Sequence, residues 1–202
     1  MNWGMLSLAI LFISMALFFI MFEREKKTAK EISLIATLAT LAAVSRVPFA
    51  VIMSVQPTTF LVMISGYVLG PHIGFIIGAT AALVSNIFLG QGPWTPWQMM
   101  AWGFAGFSTG IVGLKIEKFR LSSFIIMAFL WGYLFGWIMN LWHWIGFVYP
   151  LNLKTFIATY IASFPFDTLH AVGNALFTIL FGETIYKVLA RYKKKITFER
   201  ME

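Results

Sequence analysis

Cysteine is absent from the 202 residues, and with it go disulfides, thiolate metal sites and cysteine nucleophiles. Charge is scarce too, at 11% of the chain against roughly 25% in a soluble domain, so water is not the main solvent for this fold. The shortage is sharper for acids, eight against fifteen basic residues. No phosphate-binding Gly-x-x-x-x-Gly-Lys-Ser/Thr loop and no carboxylate pair placed to share a cleft is found, which leaves an enzyme without a site. His143, His170 and Asp167 lack any metal-ligand spacing such as His-Glu-x-x-His, and no metal site is expected from them. Neither an ATPase domain nor an inverted repeat is present, so energy for any transport must come from a partner.

What the chain does have is apolar length. Hydrophobic residues make up 59%, in runs close to the roughly 20 residues that cross a bilayer core. The runs predict an all-α polytopic membrane protein with a leading helix near 3–22 and six more near 29–47, 57–70, 71–89, 96–114, 121–147 and 165–190. Residues 1–28 form an extra transmembrane helix and basic linker, 29–192 a six-helix membrane domain, and 193–202 a basic tail. The run from Trp3 to Phe22 has no basic region before it and no small-residue cleavage site after it, and reads as a retained helix rather than a signal peptide.

The basic residues are distributed unevenly. Alternating spans place Arg24, Lys26, Lys27, Lys30, Lys115, Lys118, Arg120, Lys187, Arg191, Lys193, Lys194, Lys195 and Arg200 on one side, and leave only Arg46 and Lys154 on the other. Under the positive-inside rule this predicts a prokaryotic cell-membrane protein with its N-terminus outside and its C-terminus cytoplasmic. The formal charge of +7 is then a topology signal and not a nucleic-acid surface.

Small residues recur every four positions: Gly66, Gly70, Gly74, Gly78 and Ala82, then Gly106 with Gly110, Gly132 with Gly136, and Ala39 with Ala43. Such spacing lets helix backbones approach closely in lipid. Internal packing is the expectation for the glycines, whereas Ala39 and Ala43 fit an internal seam or a face for a partner helix equally well.

Polar side chains inside a membrane are costly and are either satisfied packing elements or functional groups. On this topology Arg46, Gln56, Asn86, Gln91, Gln98, Asn140, His143, Asp167, His170 and Asn174 all fall in the outer half, together with Trp94, Trp97, Trp102, Trp137, Trp142, Trp144 and Tyr149. Aromatic rings alone would be an interfacial belt. Rings joined to amides suit a ring-containing, hydrogen-bonding ligand. Asp167 is the one acid on that side and is expected either to pair with Arg46 or to meet ligand.

The stretch Gly66-Tyr67-Val68-Leu69-Gly70-Pro71, with Gly74, Gly78 and Ser85-Asn86-Ile87-Phe88-Leu89-Gly90-Gln91-Gly92-Pro93-Trp94-Thr95-Pro96-Trp97-Gln98-Met99, resembles the substrate-binding S components of energy-coupling factor (ECF) vitamin transporters. The likeness covers roughly residues 30–190. It implies six core helices with the leading helix as an addition, and a multi-pass subunit that binds a vitamin without covalent cofactor or catalysis. It also implies docking through Ala39 and Ala43 on a transmembrane T component, driven by two cytoplasmic ATPases that consume ATP. The vitamin would lie between residues 46–57, 90–102, 137–149 and 164–174, so the resemblance nominates Arg46, Gln56, Asn86, Gln91, Trp94, Trp97, Gln98, Trp102, Trp137, Asn140, His143, Asp167, His170 and Asn174. The Gly90–Gln98 segment is most similar to the cobalamin branch, with riboflavin, queuosine and pyridoxamine types also open. The rivals are a self-contained secondary transporter or channel, and a membrane enzyme or scaffold built on Asp167, His170 and His143.

Overall fold

A computed structural model describes residues 3–24, 27–116 and 118–199. Among these, the chain forms seven α-helices: α1 (Trp3–Arg24), α2 (Ala29–Val44), α3 (Thr58–Leu69), α4 (Pro71–Leu89), α5 (Thr95–Lys115), α6 (Leu121–Phe147) and α7 (Leu153–Glu199). Four of them, α1, α4, α6 and α7, are long and apolar enough to cross a membrane. The predicted all-helical bundle with an added leading helix is therefore what forms. Lys26 and Arg200, which belong to the predicted basic side, lie outside the described residues.

Local chemistry sets the helix ends. Thr28 and Glu31 form a reciprocal capping box at the start of α2, which satisfies two otherwise orphaned backbone N–H groups. Gly70 separates α3 from α4 at φ +110°, a conformation that only glycine adopts without strain. Pro71 then opens α4, where its missing N–H costs nothing.

At 12 residues, α3 is about 18 Å long, too short to cross alone. It is the central post of the bundle: every residue from Thr58 to Val68 is buried, with α4, α5 and α7 packed around it. The glycines explain how helices come so near. A methyl group at Gly66 would land on the Gly106 carbonyl, one at Gly106 on the Gly74 carbonyl, and one at Gly113 on the Tyr67 carbonyl. The internal-packing expectation holds for Gly66, Gly74 and Gly106.

The last helix departs from expectation. It begins at Leu153, not near 165, and runs for 47 residues through Pro165 and the basic run to Glu199. Asn152 starts it by accepting from the Thr155 N–H at 2.9 Å. Proline is tolerated inside a membrane helix because neighbours can satisfy the freed groups.

By contrast α1 adheres through a narrow strip. Leu11 and Met15 are buried, and the Phe18 ring stacks on Phe75 of α4 at 3.8 Å with Phe104 and Phe107 of α5 edge-on to it. Its other apolar side chains, such as Met5, Phe12, Ile13 and Leu17, are exposed and suit lipid.

Candidate functional site

After Val44 the chain turns repeatedly through residues 45–57 and carries Arg46 across the ends of α4 and α5. Its Nε donates to Gln56 Oε1 at 2.9 Å, and its Nη1 donates to Ser85 Oγ at 2.9 Å and Asn86 Oδ1 at 2.7 Å. No described residue accepts from Nη2. Burial lowers the guanidinium from its usual range to about 10, which leaves it charged at neutral pH. Its partners are all neutral, so the positive charge has no carboxylate against it.

Asn86, 1% exposed, extends the network inward. Its amide donates to Thr95 Oγ1 at 2.9 Å and Gln98 Oε1 at 2.7 Å. Thr95 donates in turn to Gln91 Oε1, and Gln91 Nε2 ties back to the Leu83 carbonyl, each at 2.9 Å. The Gln91-to-Gln98 segment thus folds onto the end of α4 as an arm of the same network.

Trp102 joins this cluster to α7. The guanidinium carbon of Arg46 lies 5.0 Å from the Trp102 ring centre, within cation–π reach. On its far edge Trp102 Nε1 donates to Thr59 Oγ1 at 2.8 Å, and the same hydroxyl lies 2.7 Å from His170 Nε2. Burial of Trp102 (0%) and His170 (3%) makes this a structural link across the bundle.

Asp167 belongs to a second cluster. Its Oδ2 accepts from Ser163 at 3.0 Å and from Asn140 at 3.2 Å, while Asn140 also donates to Ser163 at 2.6 Å. The expected Arg46–Asp167 pair is not formed. Gly136 is the reason: with no side chain there, α6 lies so close to α7 that a methyl group would strike the carboxylate, and Asn140 on the same helix meets Asp167 first. Beside this cluster a cleft of about 470 Å³ opens between α6 and α7, lined by Asn140, His143, Thr155, Thr159, Ser163 and Phe166.

The structure therefore gathers Arg46, Gln56, Asn86, Gln91, Gln98, Trp102 and His170 into one seam, and Asn140, His143 and Asp167 beside a neighbouring cleft. The remaining nominees stand apart. Trp94 meets Trp142 edge-on at 6.2 Å, Trp97 is buried with its Nε1 unpartnered, and Trp137 is half exposed. Asn174 is wholly buried one turn beyond His170, where it donates to the Ala128 carbonyl of α6 at 3.2 Å. Thr59, Ser85, Thr95 and Ser163 complete the network and were missed. Ser85 adjoins the nominated Asn86 and Thr95 the nominated Trp94 in sequence, a signal that could have found them; Thr59 carries none.

Ala39 and Ala43 correct the docking expectation. They are 1% and 0% exposed, because α2 turns its alanines toward α3 and α4, and the Ala42 carbonyl accepts from Thr58 Oγ1 at 3.1 Å. Ser33, Ala36, Thr37, Thr40, Leu41 and Val44 form the side that α2 leaves open.

A Gly-x-Ser-x-Gly string occurs at Gly106-Phe107-Ser108-Thr109-Gly110. It lies inside α5, and Ser108 Oγ donates to the Ala105 carbonyl of its own helix at 3.2 Å. A nucleophile elbow needs a strand-to-helix turn, so the letters carry no chemistry here. Among the described residues no three His, Cys, Asp or Glu side chains converge on a metal position.

A sequence profile for the family described as "ECF transporter, substrate-specific component" matches residues 30–182, which is α2 through most of α7. The chain is also similar to UPF0397 proteins of Aliivibrio fischeri strains MJ11 and ES114, each 25% identical over 191 residues, covering 84% of this chain and 95% of the relative. No solved structure matches it significantly.

Proposed function

The chain belongs to the family of ECF transporter substrate-specific components, and from that premise we propose that it captures a ring-containing micronutrient at the Arg46 end. As a member of that family it is a transport subunit and not an enzyme. ECF substrate-specific components work with a T component and ATPases, and we assign this chain the same kind of assembly, one T component and two ATPases.

The observation that carries the reading is the state of Arg46. A half-buried guanidinium held by three neutral side chains from two segments, with its Nη2 edge uncommitted, is pre-organised for an acceptor or anionic group on a ligand. Trp102 packs against the guanidinium from inside the bundle, and Asn140 and His143 line a separate cleft between α6 and α7. Its volume of about 470 Å³ sits in the usual range for small ligands. For a cleft of that volume we favour compounds of riboflavin, queuosine or pyridoxamine size over cobalamin, the first choice from the Gly90–Gln98 segment.

Docking goes to the open side of α2, through Ser33, Ala36, Thr37 and Thr40, since the buried alanines are out of reach. The Arg46 end faces outward, following the charge asymmetry, and release inward follows docking. Reconstitution tests the scheme: a labelled candidate should accumulate in proteoliposomes only when T component, ATPases and ATP are present. Flux through the chain alone would instead support a self-contained transporter or channel.

A further inference from the structure

At the end of the bundle opposite Arg46, the chain leaves α5 at Lys115 and enters α6 at Leu121. Under this connection lies a cleft of about 470 Å³ whose lining divides by chemistry. Val112, Ile116, Phe124 and Met127 make an apolar trough, and Lys118, Arg120, Ser123 and Tyr67 bring polar groups to its rim.

Three features of the rim point to a bound anion. Lys118 and Arg120 are exposed and form no hydrogen bond or ion pair with a described residue. The connection holds three basic residues, Lys115, Lys118 and Arg120, against the single acid Glu117, which itself lies outside the described residues. Tyr67 lines the cleft although only 8% exposed, its ring boxed in by Phe119, Phe124 and Tyr186, and its hydroxyl has no hydrogen-bond partner among the described residues. The first turn of α6 adds support, having neither an acid nor a side-chain cap for its free N–H groups.

A small free anion would satisfy the rim and leave the trough empty. A phospholipid uses both parts, and basic pockets between transmembrane helices suit anionic headgroups. We propose that this cleft holds one anionic phospholipid, its phosphate taken by Arg120, Lys118 and the Tyr67 hydroxyl and an acyl chain laid along Val112 and Met127. Arg120 can bind the phosphate through two parallel N–H donors, with Lys118 as a point charge beside it.

Native mass spectrometry of the full chain, in detergent doped with equal phosphatidylglycerol and phosphatidylcholine, reads the site directly. The wild type should retain one phosphatidylglycerol in preference to phosphatidylcholine. Lys118→Gln with Arg120→Gln should cut that retention about 10- to 30-fold, and Tyr67→Phe, which keeps the ring packing, should cut it a few-fold. Lys193→Gln with Lys194→Gln in the basic tail should leave it unchanged. Equal retention of both lipids, loss on the tail substitutions, or full retention by the double variant and by Tyr67→Phe would each overturn the proposal. Because retention is measured in detergent, its failure would leave the ligand site at the other end untouched.

Discussion

Arg46 is the residue on which the ligand site turns. Replacing it with Gln removes a charged donor edge while keeping polarity, and charge-assisted hydrogen bonds contribute about 1.5–3 kcal/mol. Ligand affinity of Arg46→Gln should fall roughly 10- to 100-fold in a titration of tryptophan fluorescence, and an unchanged affinity would move the site elsewhere. Arg46→Lys should rescue little, because an ammonium cannot bridge Gln56 and Asn86 in the plane that the guanidinium uses. Gly106 is a contrasting case. A methyl group there meets the Gly74 backbone, so Gly106→Ala should cost about 1–3 kcal/mol or more of stability and lower the thermal midpoint without naming any ligand contact. Residues such as Arg46, Asn86 and Asp167 were legible in sequence because polar groups stand out in an apolar chain. Their partners were not, since nothing in the order of residues says that Gly136 lets Asn140 reach Asp167 before Arg46 can.

Among the elements, α2 offers the sharpest test. Its buried alanines and its open Ser33–Ala36–Thr37–Thr40 side separate two effects that a small-residue pattern confuses. Ala36→Trp or Thr40→Trp should abolish uptake by the assembled transporter while ligand binding persists. Ala39→Trp, at a 1% exposed position, should instead unfold or destabilise the subunit, seen as lost monodispersity in size-exclusion chromatography. The i, i+4 spacing showed that one face of α2 was small, but two such faces share the helix, and only packing against α3 and α4 decides which is inside. The start of α7 was hidden for a related reason: Pro165 looks like punctuation until the Asn152 cap and the packing of α6 on α7 carry the helix through it. Deleting α1 with residues 25–27 should lower the thermal midpoint by a few degrees through loss of the Phe18 contacts and leave ligand binding intact.

For the whole molecule, the bundle sets a polar, tryptophan-rich end against a basic one, and the proposed sidedness follows from that polarity. A chain without cysteine can be mapped with single introduced thiols. In intact cells an impermeant maleimide should label Lys154→Cys in the first turn of α7 and spare Ser122→Cys in the first turn of α6, next to the basic connection; the reverse pattern would invert the topology. The number of helices, their order and the two-ended character were readable from hydropathy and charge, because both follow from the bilayer as solvent. The division of polar groups into an Arg46 seam and an Asp167 cluster depends on glycine contacts between helices distant in sequence. The central claim is that the Arg46 end holds a micronutrient, and mass spectrometry of small molecules copurifying with wild type and with Arg46→Gln tests it most directly. The account predicts a ring-containing compound at near one equivalent on the wild type and its loss from the variant; the same compound retained equally by both would contradict it.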